Sequence, residues 1–144
     1  MNPFLAKSIA NLDPKDLVTA VRGIVKESAP EAKYVKWVTV EGAQGGEPLG
    51  CQYTPTPQNP KGCLIGAAFR EVGILPDSLD YLSISDVRTV FRKADIAASR
   101  VVRTSPEIDW VAYVQEMQDN GEKWAEALVM ADTVHPLDAT KGNA

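Results

Sequence analysis

Between Asp13 and Ser28 the apolar residues Leu17, Val18, Val21, Ile24 and Val25 recur at helical spacing, behind a capping aspartate and a proline in first helical position. The pattern predicts an amphipathic helix to about Ser28. Ala29-Pro30 stops it, because a residue before proline is pushed out of the α region. The period then shortens: Tyr34 to Val40 reads Tyr-Val-Lys-Trp-Val-Thr-Val, a β-branched and aromatic run that predicts a strand. Four glycines and a proline in 41–50 form a connection, and Cys51 to Thr54 predicts a second, edge-like strand.

Three prolines in 55–62 exclude regular structure there. Cys63 to Val72 reads as a buried helix, with Leu64, Ala67, Ala68 and Val72 on one face and Gly73 as the residue just past its end. Gly66 inside it costs about 1 kcal/mol relative to alanine, which calls for another backbone approaching at that point. Asp77 caps a short turn through Leu82. A further helix opens at Ser85–Asp86 and carries Val87, Val90 and Phe91 toward about Ala94. From Asp95 to Thr104 the pattern does not separate helix from strand. Ser105-Pro106-Glu107 starts a helix to Asp119 with a Trp110, Val111, Val114, Met117 stripe, ended by Asn120-Gly121. Trp124, Ala127, Leu128 and Ala131 then mark a second short helix folded back on it. These elements predict one α+β domain over 1–131, mostly helical with a small two-stranded antiparallel sheet. A flexible tail over 132–144 follows.

The 144 residues, 44% apolar and 24% charged, fit a single self-sufficient globular domain. No stretch approaches the ~20 apolar residues of a membrane span, and Met1 to Lys7 has no secretory character, so a cytoplasmic location is expected. The net charge of −4 is uneven. Residues 86–104 carry five cations and two anions, whereas 105–144 carry two cations and eight anions. Five cations in nineteen residues fall short of the dense runs that mark nucleic-acid patches, so nucleic acid is disfavoured as a partner.

Cys51-Gln-Tyr53, Cys63-Leu-Ile-Gly66-Ala-Ala-Phe-Arg-Glu-Val-Gly73 and Gln118-Asp-Asn-Gly121-Glu-Lys-Trp124-Ala-Glu-Ala-Leu128 together resemble a family of small uncharacterised proteins from actinobacteriophages and their hosts. The likeness covers about residues 50–131. Ala68-Phe69 and Ala125 depart from the family pattern. The resemblance implies a phage context and a host protein as partner. It implies no activity.

Candidate chemistry is sparse. Cys63 at a helix N-terminus is placed to have a lowered thiol pKa, yet the one histidine, His135, lies 72 positions later. Two cysteines and one histidine do not make a zinc site, and no metal or cofactor is expected. Cys51 and Cys63 therefore read as free thiols used for packing. Gln118 and Trp124 are candidates to face one pocket, where an amide would bond a ligand and an indole would stack on it. Arg88, Arg92 and Lys93 run along one helix edge, followed by Arg100 and Arg103, and form a candidate contact for phosphate or an acidic partner. The expectation is a non-enzymatic intracellular binding protein that engages a host protein and is capable of homodimerisation. A small thiol-dependent or metal-assisted hydrolase centred on Cys51 and Cys63, and a nucleic-acid or nucleotide binder using 88–103, are the alternatives.

Overall fold

A computed structural model describes residues 1–35, 53, 57, 59, 60, 62–75 and 86–137. Their regular structure is six helices: α1 (Pro3–Ala10), α2 (Pro14–Glu27), α3 (Leu64–Glu71), α4 (Val87–Ala97), α5 (Pro106–Asp119) and α6 (Trp124–Val134). Three of them start alike. Asn2, Asp13 and Ser105 each precede a proline, and each side-chain oxygen accepts an early backbone N–H, from Phe4, Lys15 and Ile108 at 2.7, 3.0 and 3.0 Å. Proline supplies no amide proton and fixes φ, while the cap meets one of the donors that a helix start leaves open.

The expected α+β class is corrected to all-α. Among the described residues there is no strand, and the one β-bridge, Lys33 with Lys123, stands alone. Tyr34 and Val35 open the expected first strand, but Asn59 has taken the strand partner's place. Its Oδ1 accepts the N–H of Val35 and its Nδ2 donates to the carbonyl of Val35, both at 2.7 Å. One side-chain amide thus satisfies the backbone that a ladder would otherwise serve. The rest of that strand, 36–40, lies outside the described residues, as do Cys51, Gln52, Thr54 and the turn from Asp77 to Leu82.

Helix α5 is the central element and packs against α2, α3, α4 and α6, while α1 packs chiefly on α4. Trp110, Tyr53, Phe69, Phe91, Leu17, Leu64 and Ile65 are fully buried in one core. Phe69 sets its ring edge-on to Tyr53 at 6.0 Å and tilted to Phe91 at 6.4 Å. Such aromatic pairs add about 0.5–1.5 kcal/mol each to their area burial.

Gly66 has the close neighbour that its place in a helix calls for. A Cβ there would lie 2.3 Å from the backbone oxygen of Tyr53 and 2.7 Å from its Cα. Gly73 and Gly121, at φ 89° and 94°, occupy the left-handed positions just past α3 and α5. The segment left undecided is part helix: α4 continues to Ala97, and Ser99 at φ 58° turns the chain into an irregular stretch before α5. The last helix also runs longer than its apolar stripe, through Asp132 to Val134, and Leu137 beyond it is buried in the core. Residues expected to begin a loose tail are held by Asp132, whose carboxylate accepts from Arg22 on α2 and from the indole N–H of Trp110 on α5.

Candidate functional site

The two buried glutamines of α5 act on neighbouring helices. Gln118 accepts the N–H of Leu64, first residue of α3, at 2.7 Å, and donates to the Asp119 carboxylate at 3.1 Å. One turn earlier, Gln115 accepts the N–H of Val87, first residue of α4, at 2.9 Å, and donates to the Tyr53 hydroxyl at 3.1 Å. Each of these starts is also capped by its own residue: the Cys63 sulfur accepts from Gly66 N–H, and Asp86 accepts from Thr89 N–H. Helix α6 has no side-chain cap of its own, and its first N–H, from Trp124, goes to the Ala32 carbonyl at 2.9 Å. Gln118 is thereby committed to the fold, and it does not line the described cavity that Trp124 borders. A local sequence pattern has no way to announce a cap delivered from 54 positions away.

Trp124 is 5% exposed and borders a cavity of about 280 Å³ with Ser28, Ala29, Asn59 and Lys33. Its buried indole N–H has no hydrogen-bond partner among the described residues. The ring presents too little surface to that cavity to serve as a stacking platform, and packing is its principal role.

Cys63 is fully buried and disulfide-bonded. The expectation of a free thiol there is corrected: it rested on a compartment and not on geometry, which the sequence does not supply. An oxidised, buried sulfur offers no thiolate nucleophile. Its counterpart candidate, Cys51, lies outside the described residues. His135 stands beside Tyr113, ring centroids 5.3 Å apart, at the end of α6. No group of three metal-ligating side chains occurs among the described residues.

The five cations divide into two sets. Arg103 donates from Nε to Asp95, which has no exposed surface, and from its two terminal nitrogens to the Ile9 and Leu12 carbonyls at 3.0 and 2.7 Å. Its guanidinium also covers the Phe91 ring at 5.1 Å. Arg100 donates to the Ala10 carbonyl and to Asn11 Oδ1. Together they donate to carbonyls at and just past the end of α1, where Ile9 also accepts the Leu12 N–H, and clasp that helix to α4. Both guanidinium groups are engaged within the fold, Arg103 partly buried and Arg100 at the exposed edge. Arg88 is paired with Asp109 at 3.0 Å.

Arg92 and Lys93 remain. Both are exposed and make no hydrogen bond or ion pair among the described residues. They share a face of α4 with Ile96, which is 61% exposed, and the chain just beyond the helix presents Val101, 90% exposed. Two cations without an ion pair among the described residues thus share the α4 face with the uncovered side chain of Ile96. The Asp109 and Arg88 pairing removes a third cation from it.

The shifted titrating groups belong to the scaffold. Arg22, hydrogen-bonded to Asp132, holds that carboxyl below the usual aspartate range; the Trp110 N–H adds to this, against the opposing effect of burial. Glu31, at 2.9 Å, raises the pKa of Lys123.

No helix among the described residues is long and apolar enough to cross a membrane. The chain matches no protein-family model, no curated protein and no solved structure.

Proposed function

We propose that this chain is a non-enzymatic binding protein that meets an acidic protein surface through the outer face of α4 and the segment that follows it. The reading is carried by the exposure of Ile96 on the α4 face of Arg92 and Lys93, which have no ion pair among the described residues, with Val101 exposed farther along the chain. Exposed apolar side chains ringed by charge of one sign suit a partner with an apolar centre and carboxylates around it, in which charge sets orientation and association rate. The other polar candidates are engaged within the fold, which leaves little for catalysis. Nucleic acid is less well served: phosphate affinity grows with the number of cations that reach the backbone, and here two are free. A host protein is the partner favoured by the phage-type motifs.

The test is capture from a host lysate by the wild-type chain and by the Arg92→Glu/Lys93→Glu double variant. A stoichiometric protein held by the first and lost by the second is expected. Equal capture by both contradicts the assignment of the face.

A further inference from the structure

Along its outer side α2 borders, with α3, two cavities of about 270 and 200 Å³. They share Ile24, Glu27 and Glu71, and so form one shallow groove. Its floor is built of small residues, Ala20 and Gly23 on α2 and Ala67 on α3. Gly23 has no atom within 4 Å of where a Cβ would stand. A glycine in mid-helix costs about 1 kcal/mol relative to alanine. No internal packing accounts for this one. Its rim carries Asp16, Glu27 and Glu71, whose carboxylates make no ion pair among the described residues; Arg70 sits at one end.

We infer that this groove receives the outer face of α4 from a second copy of the same chain. The charges are complementary, with three carboxylates on the groove against Arg92 and Lys93 on the ridge. The lengths agree: from Asp16 to Glu27 the groove runs about 16 Å along α2, and the eleven residues of α4 span about 16 Å. Small residues at Ala20, Gly23 and Ala67, beside the larger Ile24, let a second helix axis come close, since interaxial distance is set by the residues at the contact. Ile96 then leaves water over Ala20 and Gly23. Every copy carries both halves, so the contact is made twice in a two-fold dimer or repeats around a closed ring.

This inference rests on α4 as the binding face and makes the groove of a second copy an occupant that competes with a foreign acidic partner for it. It is tested by sedimentation velocity on the full chain over a range of concentrations. Wild type is expected to self-associate, less so as salt rises. Arg92→Glu/Lys93→Glu alone and Glu27→Lys/Glu71→Lys alone each weaken self-association by about a hundredfold, because like charges then face each other. Mixing the two variants restores association as a heteromer, since each supplies the half that complements the other. Gly23→Gln, which fills open space, weakens it while leaving the helix content unchanged. A wild-type chain that stays monomeric at all concentrations, or a mixture that fails to associate, overturns the inference. If the wild type is monomeric and the α4 variant still loses a foreign acidic partner, the self-pairing falls and the α4 reading stands. Self-association indifferent to both charge reversals overturns the inference and leaves α4 to be judged by partner capture alone.

Discussion

Gln118 closes the start of α3 from the last turn of α5, its side-chain oxygen 2.7 Å from the N–H of Leu64. Gln115, one turn away, does the same for α4 at Val87. The pair gives α5 control over where two other helices begin, a reason for polar side chains in an otherwise apolar interface.

Replacing either glutamine by leucine leaves a buried N–H without an acceptor, at a cost of about 1–3 kcal/mol. Urea denaturation should register a loss of that size for Gln118→Leu and Gln115→Leu. Hydrogen exchange should quicken first at Leu64 in one and at Val87 in the other. Equal exchange at both sites in both variants would mean that the caps do not act locally.

Acid should loosen the clasp of α2, α5 and α6. Arg22 holds the folded pKa of Asp132 below its unfolded value, so the stability from this carboxylate is present above the ordinary aspartate value and is lost as pH falls through the lower, folded one. Asp132→Asn keeps an acceptor for Trp110 and loses the charge. Its stability is expected to be lower than wild type near neutrality and to converge on it in acid. Denaturation midpoints followed from about pH 6 to pH 2 check this, and parallel curves would contradict it.

Two glycines make opposite predictions. Gly66→Ala drives a Cβ into the backbone of Tyr53, 2.3 Å from its oxygen, and should destabilise by about 1–3 kcal/mol or prevent folding. Gly23→Ala meets nothing within 4 Å and should stabilise by about 1 kcal/mol. Thermal melts of the two variants beside wild type decide both.

Much of the helical scaffold was legible because its signals are local. Asp13-Pro14 and Ser105-Pro106 announce α2 and α5, the stripe from Trp124 announces α6, and Gly66 betrays a close approach before its partner is known. Asn2-Pro3 carries the same start signal as the other two and marks α1. What local pattern does not hold is partnership over distance. Asn59 taking the place of a strand, the glutamine caps and the disulfide at Cys63 all depend on residues that meet only in the folded chain. The basic cluster shows the limit most clearly: Arg92 and Arg103 look alike in sequence, and only the fold tells the free cation from the one that reaches Ile9 and Leu12.

Arg103 is therefore expected to behave as a core residue. Arg103→Ala strips the ion pair from Asp95, which is wholly buried, and removes a donor from the carbonyls of Ile9 and Leu12, of which Ile9 keeps the Leu12 N–H. Breaking such a pair from one side costs about 3–5 kcal/mol. Equilibrium denaturation should show a loss in that range, with the amides of α1 exchanging earliest. A change below about 0.5 kcal/mol, the usual range for surface substitutions, would return Arg103 to the binding candidates.

The division of the basic residues into structural and free is tested most directly by measuring stability and partner capture on the same Arg92→Glu/Lys93→Glu protein. Unfolding free energy within about 0.5 kcal/mol of wild type, together with loss of the captured partner, is the predicted result. A stability loss as large as that of Arg103→Ala, or capture that survives both charge reversals, would contradict it.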